Sequence, residues 1–154
     1  MDTGITNNDF IPEWFKLLDH TADTGIIVYA STIEQLFERA AWAMFYVICD
    51  VTSVQNKISR EIRVESDDLE TLMLRWLSEL NYLHSVEHEL YCSFDIIRYE
   101  NGSIEAKIGG EKIDLSRHQL KLEIKAVTYH CLKIEKEVKR SMSDSWRCQV
   151  LFDV

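Results

Sequence analysis

Proline and glycine are scarce in this chain, whose 154 residues include one proline and five glycines. Linkers between domains are usually rich in such residues, so their scarcity argues against a multidomain chain. No internal repeat of the kind that builds solenoid proteins is present. A chain of this length can bury one substantial hydrophobic core. We therefore expect a single domain over residues 14–154, preceded by a polar, flexible segment at residues 1–13.

Cysteines are few and widely separated, at Cys49, Cys92, Cys131 and Cys148, with no C-x-x-C pair. Zinc sites and disulfide frameworks usually show short, paired spacings, so we expect four reduced thiols. The chain also lacks a charged-then-apolar leader, and it lacks any apolar run near the ~20 residues that span a bilayer. These features predict a cytoplasmic protein with no membrane partner.

Basic residues are outnumbered, since 17 Lys and Arg face 26 Asp and Glu and the formal charge is -9. Proteins that hold nucleic acid directly need a basic surface, because phosphate contacts supply most of the affinity. The charge balance therefore disfavours direct, strong nucleic-acid binding. Gly-rich phosphate loops, G-x-S-x-G elbows and H-E-x-x-H motifs are missing as well, so no common catalytic motif points to an enzyme.

What the chain does contain is a clear succession of helical and strand patterns. Apolar residues recur at helical spacing from Ile33 to about Cys49, after the candidate caps Ser31 and Thr32, and again after the candidate cap Asp67. Strand patterns occupy 14–18, 25–30, 57–65, 90–99, 103–108, 122–134 and 146–152, with an Asn-Gly turn at 100–103. The order lacks a βαβ rhythm. It predicts a single α+β domain in which two helices pack on a curved, mostly antiparallel sheet of about seven strands.

Two aspartates and a histidine are concentrated in the segment Asp19-His20-Thr21-Ala22-Asp23, just before a predicted core strand. Neighbouring carboxylates favour a hard cation, which relieves their mutual repulsion. The same residues are also compatible with an ordinary hydrogen-bonded turn. On this segment alone, both interpretations stay open.

The other end of the chain supplies further carboxylates. Alternation along the last predicted strand places Asp153 on the face opposite the apolar residues. Because the chain ends one residue beyond that strand, we expect Asp153 and the α-carboxylate of Val154 to be held in place, where they would be able to chelate a cation. A plain surface aspartate is the alternative.

The predicted strand at 122–134 carries several polar side chains of interest. Alternation places His130 among apolar residues, which favours a core histidine over a ligand. Lys125 and Tyr129 fall on the opposite face, where they would meet a phosphate, an acidic partner or only solvent.

Three more histidines have no clear role in the sequence. His84 and His88 are four residues apart, a spacing seen among metal ligands, but they lie where the second helix should be ending. That position argues against a zinc pair. The pattern around His118 assigns it to no element.

Five segments, taken together, resemble the archease family. They are DHTADTGI at 19–26, STIEQLFERAAWAMF at 31–45, LMLRWLSELNYL at 72–83, IKAVTYHCLKIE at 124–135 and WRCQVLFDV at 146–154. They occur in the family's order and cover nearly the whole chain from Trp14. The combination of DHTAD, KAVTYH and a terminal aspartate followed by an aliphatic residue is specific to that family.

The resemblance implies a small α+β protein that binds a divalent metal ion and acts as a cofactor of the RNA-splicing ligase. That ligase joins RNA ends, as in tRNA exon joining, through a guanylylated histidine intermediate. An archease promotes the guanylylation and the turnover of the ligase and is not itself known as an enzyme.

The resemblance also implies site residues. The metal site falls on Asp19 and Asp153, with Asp23 and Val154 as further contributors. Oxygen ligands favour Ca, Mg or Mn, and coordination by His20 would shift that preference. Many family members have an acidic residue at the position of Ser31, so a site that relied on this position would lose a charge here. Lys125, Tyr129 and His130 match the KAVTYH segment and would shape the site or the partner surface.

Two other functions are compatible with the same residues. A metal-dependent phosphoesterase-type hydrolase would use Asp19, Asp23 and Asp153 to hold the ion and His20 or His130 as the base. A general chaperone or assembly module would instead need a large exposed apolar patch.

Overall fold

The computed structural model describes residues 11–19, 24–137 and 145–154. Along the chain the elements are β1 (Phe15–Asp19), β2 (Thr24–Ala30), α1 (Ile33–Ile48), β3 (Ile58–Glu65), α2 (Leu69–Glu87), β4 (Glu89–Glu100), β5 (Ser103–Lys112), β6 (Ala126–Lys136) and β7 (Trp146–Asp153). The predicted α+β class, with two helices and seven strands, is confirmed. Neither of these helices combines the length and the apolar character needed to cross a bilayer.

The seven strands form two antiparallel sheets where one curved sheet was expected. The first has the order β1-β2-β7-β6 and the second the order β3-β5-β4. Both helices pack against strands of both sheets. This double contact explains why α1 is buried along nearly its whole length from Leu36 to Ile48. The core therefore consists of both helices and the apolar faces of both sheets.

Hydrogen bonds from capping side chains fix where the two helices begin. The Thr32 hydroxyl accepts a hydrogen bond from the Gln35 amide at 3.1 Å, and the Gln35 side chain accepts one from the Ser31 amide at 2.9 Å. The predicted capping interaction is thus present, with Thr32 as the cap. At α2 the cap is Asp68, whose carboxylate accepts from the Thr71 amide at 2.9 Å, so the prediction of Asp67 was wrong by one residue.

The hairpin between β4 and β5 follows the predicted Asn-Gly turn. Asn101 and Gly102 both have positive φ, at 53° and 73°. Those angles suit the type I′ turn, whose twist matches that of the flanking strands.

The predicted strand at 122–134 is shorter and less regular than expected. β6 begins only at Ala126. Its pairing with β7 jumps from Thr128↔Leu151 to Lys133↔Gln149, so three extra residues bulge out of β6, and φ at Cys131 is 61°. The bulge breaks the alternation of faces.

This irregularity overturns the interpretation of one histidine. His130 lies inside the bulge and is exposed. The prediction of a core histidine was therefore wrong, because it assumed an unbroken two-residue period.

Two glutamates of the three-stranded sheet are buried, and both have charged partners. The Glu89 carboxylate accepts hydrogen bonds from Arg60 Nε at 2.7 Å and Nη2 at 2.9 Å, and from the Tyr91 hydroxyl at 2.6 Å. These donors offset the cost of taking the charge out of water.

Glu111 has a similar set of partners. Its carboxylate accepts from the Gln55 amide at 2.6 Å and from Arg117, and His118 Nε2 lies 2.9 Å away. The sequence pattern assigned His118 to no element, and the structure shows that this histidine is buried. The Asp114 amide donates to its Nδ1 at 2.9 Å, so the ring proton lies on Nε2, which donates to Glu111.

Candidate functional site

Strand register brings the two ends of the chain to one end of the four-stranded sheet. Asp19 pairs with Thr24 across β1 and β2, and Thr24 pairs with Phe152 across β2 and β7. Strands are spaced by nearly 5 Å, so the Cα atoms of Asp19 and Phe152 lie about 10 Å apart. Asp153 follows Phe152 directly. The tertiary structure therefore places the backbones of Asp19 and Asp153 close together, as the metal-site prediction requires.

Asp153 combines a fixed backbone with an exposed side chain. It is the last residue of β7, and its carbonyl accepts a hydrogen bond from the Lys125 amide at 2.7 Å. The residue before it, Phe152, is fully buried, and the residue after it, Val154, packs against the core. An anchored strand end holds a carboxylate in one place at little entropic cost on ligand binding.

A glycine allows β2 and β7 to approach closely near this end. A Cβ atom at Gly25 would lie 2.6 Å from Leu151 Cδ2 and 2.7 Å from the Val150 carbonyl oxygen. Both distances are too short for real contacts, so a larger residue would push the two strands apart. Sequence reasoning passed over this residue, although a glycine inside a strand pattern is a known signal of close backbone approach.

Other predicted ligands fall outside the described part of the chain. His20 and Asp23 belong to residues 20–23, which the structure does not describe, and Asp19 is placed by its backbone. Within 11–19, 24–137 and 145–154, no three His, Cys, Asp or Glu side chains converge to hold a metal ion. A metal site at this end of the sheet would therefore have to draw ligands from residues 19–23 together with Asp153.

Sequence comparison places the whole domain in one family. Residues 15–154 match the model of the Archease protein family (MTH1598/TM1083). The archease of Methanosarcina barkeri is 45% identical over 144 residues, which cover 91% of this chain and 95% of the relative. The archease of Pyrococcus furiosus is 40% identical, with coverages of 88% and 95%. The chain belongs to the archease family.

Solved structures agree with that assignment. The solution structure of protein 1598 of Methanobacterium thermoautotrophicum has a TM-score of 0.72 and 29% identity, over 92% of this chain and 99% of that one. A crystal structure from Thermotoga maritima, described as an archease and possible chaperone, has a TM-score of 0.61 over 90% and 96%. At 19% identity, the second likeness shows the shared fold alone.

Not every residue that the archease resemblance singled out lies at this end of the sheet. Ser31 follows Ala30, which pairs with Trp146 at the opposite end of β7. The strand from residue 146 to residue 153 spans roughly 20 Å or more at about 3.3 Å per residue. The structure therefore does not bring Ser31 to Asp153, and its amide is instead used in the cap of α1.

The three residues of the archease KAVTYH segment have different surroundings. Lys125 is adjacent to the sheet end through its hydrogen bond to Asp153. Tyr129 and His130 belong to the bulge of β6. The Tyr129 hydroxyl lies 3.1 Å from Thr71 Oγ1 at the start of α2. Lys125 is thus the member of this group that is joined most directly to the candidate site.

The histidines at the end of α2 serve the fold. His84 Nδ1 lies 2.8 Å from the Glu89 carbonyl, and burial lowers the pKa of this histidine. His88 ends α2 in a left-handed conformation, with φ of 57°. A left-handed residue at the end of a helix is a common C-cap, so these two histidines have structural roles here.

Proposed function

We propose that this archease-family chain binds a divalent cation at the end of the four-stranded sheet and activates the RNA-splicing ligase. In that role it promotes guanylylation and turnover of the ligase in tRNA exon joining and is not itself an enzyme. The observation that carries the proposal is the position of Asp153, which is exposed on an anchored strand end near the end of β1. Family membership supports the choice of partner.

The donor set fits a hard cation. Asp19, Asp23 and Asp153, with Val154 as a further contributor, would supply oxygen ligands, which Ca, Mg and Mn prefer. When bound, the ion would supply positive charge beside the phosphates of the nucleotide. The residues of this chain would bind that ion and orient it toward the ligase, with Lys125 fixing the backbone of Asp153.

The charge of the chain is compatible with an activator that acts through a protein. A formal charge of -9 disfavours direct, strong binding of RNA. An activator that presents a cation at the mouth of another protein's nucleotide pocket needs no RNA-binding surface of its own.

A guanylylation time course of the cognate ligase tests this proposal, with and without this protein and with and without a chelator. We expect stimulation that the chelator removes and that Asp153→Ala abolishes, because the variant loses a metal ligand and keeps its fold. The matched control is Asp95→Ala, which removes another exposed aspartate, from β4 in the other sheet. Full stimulation by Asp153→Ala would rule out this mechanism.

Two further measurements separate the proposal from its alternatives. Calorimetric titration with Ca, Mg and Mn should show binding that weakens by about tenfold or more in Asp153→Asn, since a neutral amide is a poorer ligand for a hard cation. Turnover of a phosphoester by the purified protein alone, lost in the same variant, would instead identify a metal-dependent hydrolase.

A further inference from the structure

The three-stranded sheet has an apolar face and a charged face. Its apolar side chains, such as Ile62, Ile96 and Ala106, belong to the core. The opposite face, which we call the outer face, carries charged side chains that are exposed or half-exposed. Directly opposed residues of paired strands point to the same face, so side chains stand in rows across a sheet. The register therefore fixes which charges lie beside one another on the outer face.

Two neighbouring rows of the outer face have reversed patterns of charge. The first row reads acid, base, acid across β3, β5 and β4, and it consists of Glu61, Lys107 and Asp95. The second row reads base, acid, base, and it consists of Arg63, Glu105 and Arg98. With three acids and three bases, the two rows have no net charge, although the whole chain has a formal charge of -9.

Ion pairs within the chain leave these charges available to a partner. Arg98 lies 4.0 Å from Glu105 and 3.8 Å from Glu100. Arg63 lies 3.2 Å from Glu65. The side chains of these pairs are between 43% and 65% exposed, and such pairs contribute little to stability because water screens them. Within the described part of the chain, no ion pair involves the three residues of the first row.

A depression of about 410 Å³ lies where the two charged rows meet, and Ile97 lines it together with residues of both rows. Ile97 is the extra residue of a bulge in β4, where the pairing with β5 shifts from Ile96 to Arg98. Its side chain is 58% exposed. An isoleucine that a bulge holds out of a charged face suits an apolar contact with a partner.

A two-fold rotation makes the outer face complementary to itself. With the axis parallel to the rows and midway between them, the first row of one copy would lie on the second row of its partner. Glu61 would then face the partner's Arg63, and Asp95 would face the partner's Arg98. Lys107 would face the partner's Glu105. Symmetry doubles these three contacts to six, and in all of them the charges are opposite.

The flanking rows fit the same rotation. Before the first row stand Ser59, Gly109 and Ser93, and after the second row stand Glu65, Ser103 and Glu100. The rotation lays each of these rows on the other, so that glutamates face serines and no like charges meet. Ile97 lies beside the axis, where it would meet the partner's Ile97.

We propose that the outer face of the three-stranded sheet binds a second copy of this chain, giving a symmetric dimer with the two sheets packed face to face. The charged rows set the register, and the two Ile97 side chains form the apolar centre. Packed sheets usually cross at about 30°, which on a face only three strands wide displaces the outermost contacts by roughly 3 Å. Asp153 lies in the other sheet, so the inference is independent of the metal site.

The size of the face predicts a weak dimer. Three strands spaced by about 4.8 Å and four rows spaced by about 6.7 Å cover roughly 400 Å² per copy. Stable interfaces bury about 800 Å² per partner, so we expect a dissociation constant of roughly 0.1 mM. The chain is then monomeric in a dilute activity assay, and substitutions in this face leave the test of ligase activation unaffected.

Charge reversal in β5 tests the register. Sedimentation equilibrium between about 10 µM and about 1 mM should show a monomer–dimer equilibrium. Lys107→Glu places acids opposite each other and Glu105→Lys places bases opposite each other, so each should weaken association at least about tenfold. The double variant Glu105→Lys/Lys107→Glu restores both contacts at the original net charge, so its dissociation constant should lie within about threefold of the original.

A mixture of the two single variants gives a separate signature. Each variant repels its own copies at this contact, but a Lys107→Glu chain and a Glu105→Lys chain attract each other, so the mixture should form heterodimers. The matched controls Lys16→Glu and Glu13→Lys make the same changes of net charge at exposed positions outside the face. Each control alone should associate as the original chain does.

Crosslinking tests the position of the axis. Ile97→Cys, in a Cys131→Ser background that removes the exposed native thiol, should be crosslinked to a dimer by a short bis-maleimide, since packed sheets lie about 10 Å apart. Val86→Cys in the same background, at a comparable exposure of 50%, should not.

Four results would each overturn the proposal. They are a chain that stays monomeric up to about 1 mM, unchanged association in both single charge variants, failure of both the double variant and the mixture to restore association, and equal crosslinking at positions 97 and 86.

Discussion

Two buried glutamates of the three-stranded sheet and one aspartate of the four-stranded sheet have opposite surroundings. In the three-stranded sheet, Glu89 and Glu111 are 2% and 3% exposed, and arginine and other donors surround them. In the four-stranded sheet, Asp153 is exposed at the end of β7, where the Lys125 amide donates a hydrogen bond to its backbone carbonyl. A buried carboxylate whose oxygens are already bonded stabilises the fold. An exposed carboxylate on a rigid strand end is available to a ligand.

The pKa values of the two buried glutamates reflect their hydrogen bonds. Hydrogen bonds from Arg60 lower the pKa of Glu89 to about 2, and a hydrogen bond from Arg117 is the main cause that lowers the pKa of Glu111 to about 2. Both groups are therefore charged in the folded protein at every physiological pH. Glu89 and Glu111 thus stabilise the fold, whereas Asp153 is a proposed metal ligand.

Removing a buried carboxylate should have the largest effect. Glu89→Ala leaves the Tyr91 hydroxyl without its carboxylate partner in the core and removes the two-bond ion pair with Arg60, which keeps its contact with Glu87. We expect a loss of about 3 kcal/mol in the free energy of unfolding, measured by urea denaturation. The control Glu105→Ala, an exposed carboxylate on β5, should change it by less than about 0.5 kcal/mol. Equal effects of the two variants would remove the distinction between buried and exposed carboxylates.

Acid should destabilise the protein through the same two glutamates. Their pKa is about 2 in the folded protein and near the usual 4.5 of a glutamate when unfolded, so each contributes stability above pH 4.5 that is lost as the pH falls toward 2. The loss is of the order of 2–3 kcal/mol per group. Unfolding free energies measured between pH 6 and pH 2 should fall steeply, and the double variant Glu89→Gln/Glu111→Gln should flatten that fall. An unchanged slope in the double variant would assign the acid sensitivity to other groups.

An intermediate effect is expected at Gly25, between the strands that carry the candidate metal ligands. Gly25→Ala would force β2 away from Leu151 and Val150 in β7, at a cost of about 1–3 kcal/mol in unfolding free energy. The variant should also weaken metal binding, because it separates the ends of β1 and β7. Thermal unfolding and calorimetric titration measure the two effects. A stable variant with normal metal affinity would show that the spacing of these strands does not matter to the site.

The smallest effect on stability should come from Asp153 itself. Asp153→Asn changes an exposed side chain, so the unfolding free energy should move by less than about 0.5 kcal/mol without added metal. Added divalent cation should raise the melting temperature of the original protein and leave that of the variant nearly unchanged. A large loss of stability in metal-free buffer would instead place Asp153 among the structural carboxylates.

Several elements were predictable because their signals are local. The helical period of α1 needs no knowledge of distant partners, and Thr32 and the Asn-Gly turn act through neighbouring residues. Alternation along β7 likewise predicted that Asp153 would face away from the core.

Errors arose where distant contacts override a local pattern. Residues 122–125 alternate like a strand, but the Lys121 and Leu122 amides bond to the Ile48 carbonyl at the end of α1. The bulge that exposes His130 depends on the pairing of β6 with β7, which no local period reports. Ser31 was named through the family resemblance as a possible site or partner-surface residue, and the direction of β2 places it at the end of the sheet opposite Asp153.

By itself, the sequence determined the α+β class, the two helices, most strand positions and the exposure of Asp153, because periodicity and capping depend on residues close together in the chain. Only the tertiary structure decided that the strands divide into two sheets and that Asp19 and Asp153 share one end of the first. It also enclosed Glu89 and Glu111. Each of these features joins residues far apart in sequence, and their positions are set by which strands pair and which faces pack.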